Sequence, residues 1–235
     1  MDRTTSGRLG CPHLAPYRPT HAQAARALAE QDVVIAGLVA RAGLPRIRRS
    51  GDSHFASLVR AVVHQQLAGA AAGAIHRRLV AALGGEVAPE RLLRLSDAEL
   101  RGAGLSAGKV ESLRDLSARV LEGTLLLEPR RLAREGDEAI VERLRSVRGV
   151  GRWTAQMFLL FQLRRLDVWP AGDLGVRRGY GLAYGVPAPT ERELEQLGAA
   201  FAPYRSVAAW YCWRACELLA GARAGEPDDT SLTIA

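Results

Sequence analysis

The chain has 235 residues, 48% hydrophobic and 24% charged, with a net charge of +7 and a pI near 10.0. That apolar content is ample for a core and excludes an intrinsically disordered chain, and the length suits one large domain or two small lobes. The basic balance points to an acidic partner, nucleic acid rather than membrane: no Lys/Arg-rich amphipathic helix is evident, and the longest aliphatic run, about 33–40, is too short to span a bilayer.

Residues 1–21 read as a poorly ordered, Pro-containing start with no apolar targeting segment. Hydrophobic periodicity then predicts helices over about 22–42, 53–67, 70–83, 96–103, 107–122, 137–146, 151–165, 173–184, 190–200 and 205–220. Val110, Leu113, Leu116 and Val120 form one such stripe. Ser96 with Glu99 and Thr190 with Glu193 have the spacing of capping boxes that begin helices. Gly84-Gly85 and Pro187-Ala188-Pro189 are turn signals, and the polar stretch 221–235 reads as a frayed tail. No strand pattern or internal repeat is convincing, so the expected fold class is all-α.

The three cysteines, Cys11, Cys212 and Cys216, give neither an even disulfide framework nor four ligands for an iron–sulfur cluster. A reducing, intracellular compartment fits them, and Cys212 and Cys216, one helical turn apart, read as core residues. All five histidines precede Lys109, the only lysine, so the cationic excess is almost entirely Arg.

Chemistry concentrates in 144–180. Leu144 and Val147 lie on an incoming helical stripe, and Ala155, Phe158, Leu159 and Phe161 continue a second beyond Gly149-Val150-Gly151. The glycines let the backbone take positive φ and approach another molecule closely, and a helix opening at Gly151 presents unpaired N–H groups and a positive dipole end, which suits a phosphate. Taken alone, the same pattern is also an ordinary helix–helix connection with a Gly C-cap. Downstream, the Gly/Pro-rich loop Trp169-Pro170-Ala171-Gly172 leads into Asp173, 22 positions after Gly151.

This combination resembles the helix-hairpin-helix DNA glycosylases, and GVGRWTA followed by DLGVRRG is most similar to their DNA-3-methyladenine glycosylase II branch. Residues 62–79, VVHQQLAGAAAGAIHRRL, are similar to a further block of the family, as are 203–213, PYRSVAAWYCW; the likeness covers roughly 25–220. It implies two helical lobes around a DNA-binding cleft, one from about 53–165 and the other from 22–52 plus 166–220. It also implies a monofunctional enzyme that flips an alkylated purine of the 3-methyladenine type out of double-stranded DNA and hydrolyses its glycosidic bond. Several members of the branch carry an N-terminal β-rich domain; only about fifty residues precede the QQL helix here, so that domain is expected to be missing.

By the same resemblance Asp173 is the catalytic carboxylate, and the residues alone also make it a good N-cap; capping would fix its position. Trp153, Trp213 and Met157 line the base pocket, and Gly149, Val150, Gly151, Arg152 and Thr154 contact DNA. Leu67, with Gln66, falls at the family's intercalating wedge, although a Leu on an Ala-rich helix is ordinarily core. Aromatic faces attract a cationic N-alkylated base; Trp210 and Trp169 read as core instead. Trp153 stands where strand-cleaving relatives place a lysine nucleophile, and an indole cannot form a Schiff base, so water is the expected nucleophile. No cofactor is required and no side-chain metal site is expected; the resemblance implies a monovalent cation on hairpin backbone carbonyls. The remaining expectations are a monomer, cytoplasmic and nucleoid-associated. The competing readings are a catalytically silent helix-hairpin-helix DNA-binding protein and an 8-oxoguanine-type glycosylase/lyase.

Overall fold

The computed structural model describes residues 19–47, 51–67 and 69–223. The segment 1–18 with Cys11, and the tail from 224, lie outside the described residues. Those described form an all-α structure without a strand, and none of their helices is long and apolar enough to cross a membrane.

The expected helix over 22–42 is two helices, α1 (His21–Gln31) and α2 (Val33–Ala42). Asp32 breaks it: extended at φ −136°, it accepts from the N–H groups of Val34 and Ile35 and so caps α2. Helix α3 (His54–His64) stops three residues earlier than expected, because Gln66 takes a left-handed φ of 56°. After α4 (Gly69–Ala82) come two helices that periodicity did not reveal, α5 (Pro89–Arg94) and, later, α8 (Pro129–Arg134), each six residues long with Pro in its first turn. Between them lie α6 (Asp97–Gly102) and α7 (Ala107–Leu121). Next is α9 (Asp137–Arg145), then α10 (Arg152–Met157), which passes into a π-helical turn over Phe158–Gln162 rather than running on to 165. The described residues end with α11 (Leu174–Tyr184), α12 (Glu191–Leu197), a 3₁₀ turn (Gly198–Phe201) and α13 (Arg205–Arg223). Both expected capping boxes form, at Ser96/Glu99 and Thr190/Glu193.

The helices sort into two packing groups. In one, α3 and α7 are central: α4, α10 and the π turn pack on α3, and α5 and α6 pack on α7. In the other, α13 is central, with α11 along its length and α1 and α2 beside it. The intimacy of α11 with α13 has a specific cause. A Cβ at Gly179 would collide with the Cys212 carbonyl, and one at Gly175 would lie 2.8 Å from Trp213 Cδ1, so two missing side chains one turn apart let the helices approach. The buried residues of both groups form one continuous apolar core. Tyr211, Phe158, Leu58, Leu113 and Leu116 are among its fully buried members, each worth roughly 1.5–3 kcal/mol in apolar burial.

Candidate active site

Four contacts fix the loop that carries Asp173. Asp167 makes a two-pronged ion pair with Arg205 at the start of α13, 2.7 and 2.9 Å. Ser206 Oγ donates to the Arg165 carbonyl and accepts from the Val168 N–H. Trp169, buried as core, donates its indole N–H to the Leu194 carbonyl at 2.7 Å. Finally, Gln156 on α10 donates to the Trp169 carbonyl at 3.1 Å. The loop thus reaches Asp173 already held by α10, α12 and α13.

Asp173 is the N-cap of α11, accepting from the Val176 N–H at 2.8 Å through Oδ1. The same carboxylate accepts from two indoles: Trp213 Nε1 reaches Oδ1 at 2.9 Å, and Trp153 Nε1 reaches Oδ2 at 2.6 Å. Trp213 is buried and stacks on Phe161, with centroids 5.7 Å apart and planes 28° apart. Trp153, Asp173 and Met157 are half-buried. Capping and a reactive carboxylate are therefore compatible, and the acid, Trp153 and Trp213 stand together. A carboxylate held this way can stabilise positive charge developing on an adjacent carbon or orient water.

The glycine hairpin joins α9 to α10. Gly149 has φ +72°, and a Cβ there would run into Ser112 Oγ on α7. Gly151 has an ordinary φ of −87°, and a Cβ there would meet nothing within 4 Å, so that side of its backbone faces open space. No side chain caps the helix that opens after it. Of the residues expected at DNA, two bury their side chains: Thr154 accepts from Gln65 Nε2 at 2.8 Å, and Val150 lies in the core. Arg152 is exposed but committed to Glu138 through two hydrogen bonds, 2.6 and 2.9 Å. That partner holds Glu138 below the usual carboxylate range and raises the Arg152 guanidinium.

Gln66 and Leu67 project from the turn after α3 as exposed side chains, Leu67 at 38%. The turn is braced by residues the sequence reading did not assign. Gln65 donates to the Gly149 carbonyl at 3.0 Å as well as to Thr154, fastening the turn to the hairpin. Lys109 Nζ donates to the carbonyls of Val63 and Gln65, 2.7 and 2.9 Å, closing the C-terminal end of α3, and burial lowers its pKa. The repeated glutamine of the QQL block was the available signal for Gln65. Of the other expected residues, Trp210 is half-buried beneath Arg214, Cys212 is buried and its thiol pKa raised by desolvation, and Cys216 is half-buried on the same helix. Among the described residues no group of His, Cys, Asp and Glu could hold a metal ion.

The glycine hairpin and Asp173 both fall inside the stretch that matches a known family. Residues 59–203 match the model of the HhH-GPD superfamily base excision DNA repair proteins. The chain belongs to this superfamily. It is 36% identical over 167 residues to the DNA-3-methyladenine glycosylase 1 of Schizosaccharomyces pombe, covering 70% of this chain and 73% of that one. A solved S. pombe 3-methyladenine DNA glycosylase in complex with abasic DNA superposes with a TM-score of 0.76 at 34% identity, over 83% of this chain and 97% of the other. A DNA-3-methyladenine glycosidase from Bacillus halodurans gives 0.72 at 36% identity, over 84% and 90%.

Proposed function

We propose that this protein is a monofunctional DNA glycosylase of the DNA-3-methyladenine glycosylase II type, hydrolysing the N-glycosidic bond of alkylated purines in double-stranded DNA for base excision repair. The observation that carries the reading is the Asp173 carboxylate, capped into α11 and bracketed by Trp153 and Trp213 beside an open glycine hairpin. The names of the similar glycosylases support the substrate class.

In this reading the lobes 53–165 and 22–52 plus 166–220 flank the DNA. The backbone around Gly151 meets phosphate, Leu67 and Gln66 fill the gap left by the flipped nucleotide, and the base enters against Trp153, Trp213 and Met157. As the glycosidic bond breaks, its electron pair leaves with the already cationic base, and Asp173 stabilises the oxocarbenium character of the sugar. Water adds to the anomeric carbon and gives up a proton to Asp173 or solvent. No cofactor or iron–sulfur cluster is needed. The Val147 and Gly149 carbonyls each accept one hydrogen bond, so a monovalent cation at the hairpin would use their second lone pairs. The enzyme works as a monomer in the cytoplasm, on nucleoid DNA.

The glycosylase/lyase alternative needs an amine at the sugar, and Lys109, the only lysine, is spent on the carbonyls of Val63 and Gln65. The test is a panel of duplexes carrying 3-methyladenine, 7-methylguanine, hypoxanthine or ethenoadenine. Release of an alkylated purine, with nicking only after hot alkali and no borohydride-trapped adduct, is the expected result. Binding without excision of any base would favour the silent DNA-binding protein, and a trapped adduct lost in Lys109→Ala would favour the lyase.

A further inference from the structure

We propose that Trp153 and Trp213 are positioning residues for Asp173: their indole N–H groups hold its carboxylate so that a single lone pair, on Oδ2, is left for the reacting sugar or water. This rests on the assignment of Asp173 as the reacting acid and goes beyond the role of the two rings as walls for a base. A carboxylate oxygen offers two in-plane acceptor sites. Oδ1 is saturated, by the Val176 N–H at 2.8 Å and Trp213 Nε1 at 2.9 Å. Oδ2 accepts from Trp153 Nε1 at 2.6 Å and keeps one site. The carboxylate is therefore not a freely rotating charge: Oδ1 is tied to the scaffold and Oδ2 is the oxygen that can react.

Each donor is itself held. Trp213 is buried and stacked on Phe161, and it reaches Asp173 because Gly175 has no Cβ in its path. Trp153 lies in the first turn of α10, immediately after the hairpin, and has no stacked partner among the described residues. Its indole therefore links the segment that meets phosphate to the oxygen that meets the sugar. Misplacing a reacting group by about 1 Å costs on the order of 100-fold in rate, so loss of either donor should appear in the chemical step.

The contact is tested without activity. In ¹⁵N-labelled full-length protein the four tryptophans give four indole N–H resonances. Asp173→Asn should move those of Trp153 and Trp213 upfield and leave Trp169, which donates to the Leu194 carbonyl, in place. Its role is tested in single-turnover excision of an N-alkylated purine from duplex DNA. Trp153→Phe should lower the maximal rate about 10- to 100-fold with the half-saturating enzyme concentration nearly unchanged. Trp213→Phe should cost less, about 3- to 10-fold, since Val176 still holds Oδ1. In the Asp173→Asn background Trp153→Phe should cost nothing more. Indole resonances that ignore Asp173→Asn, or variants that lose affinity while keeping the maximal rate, overturn the proposal and return the rings to walls. Excision that survives Asp173→Asn instead sinks the reading of Asp173 as the reacting acid while the indole shifts stand, so the two failures are told apart.

Discussion

The hairpin between α9 and α10 closes within a few residues, and its shape comes from local backbone: one glycine in the left-handed region, one open glycine, and a helix start. The site around Asp173 is assembled from side chains 20 and 40 positions away, on helices brought together by a loop pinned from three sides. In the proposed function one region is a local device for holding a polyanion and the other a long-range device for holding a charge still. Grip and chemistry should therefore separate under mutation, even at Trp153, which follows the hairpin in sequence but bonds to Asp173.

The sharpest test is Asp173→Asn. Asn caps helices about as well as Asp, so the Val176 N–H keeps an acceptor while the negative charge is lost. Single-turnover excision should fall by about 10² to 10⁴, with affinity for undamaged duplex unchanged. A loss of affinity as large as the loss of rate would show that the two regions are not separable.

The hairpin can be divided in the same way. Gly149→Ala meets the left-handed cost of about 1–2 kcal/mol and a clash with Ser112 Oγ, so it should lower the melting temperature by several degrees. Gly151→Val enters open space at an ordinary φ and should cost only the roughly 1 kcal/mol of a poorer N-cap, yet weaken binding to damaged and undamaged duplexes alike, by about tenfold at moderate salt. If only damaged DNA lost affinity, the hairpin would belong to base recognition.

The same contrast explains what could be read from the sequence. The glycine hairpin, Asp173 and the capping boxes at Ser96 and Thr190 are local patterns whose physics is complete within a few residues, and they were legible. The helix break at Asp32 was not: its flanks continue the apolar pattern, and Tyr184, which donates to the second Asp32 oxygen at 2.7 Å, lies 152 positions away. Helices α5 and α8 are too short for periodicity to register. In the site, Trp153 and Trp213 were legible as aromatic rings, but their shared hydrogen bonding to Asp173 depends on the α11–α13 approach. Gln156 and Lys109 carry no local signature, and Gln65 only the repeated glutamine of its block, because each is defined by a carbonyl or hydroxyl that folding brings to it.

Between the two regions the chain turns at Arg164, whose φ is +55° and whose guanidinium lies against His21 on α1. Burial, with Arg164 second, lowers His21 from its ordinary 6.5 to about 4. Between those values the unfolded chain binds a proton that the folded one refuses, so stability falls as pH drops from 6.5 towards 4, by on the order of 2–3 kcal/mol in all. Urea midpoints measured from pH 7 to 4 should decline, and His21→Leu should flatten most of the decline. A residual slope is expected from His64 and His76, both lowered chiefly by burial. An unchanged slope in His21→Leu would place the acid-sensitive contact elsewhere than at this junction.

The smallest effect concerns the charge beside the hairpin. Arg152 is exposed, but Glu138 occupies its guanidinium fork in the free protein. A DNA phosphate could take that fork only by displacing the carboxylate or by sharing the arginine with it, and the carboxylate repels the phosphate in either case. Glu138→Gln removes the repulsion and leaves the arginine in place. Binding to any duplex should tighten by about two- to fivefold at low salt, the gain shrinking as salt rises, while the maximal single-turnover rate stays as it was. An increased maximal rate would mean that charge at the hairpin reaches the chemistry at Asp173, and Trp153 is the side chain that could transmit it.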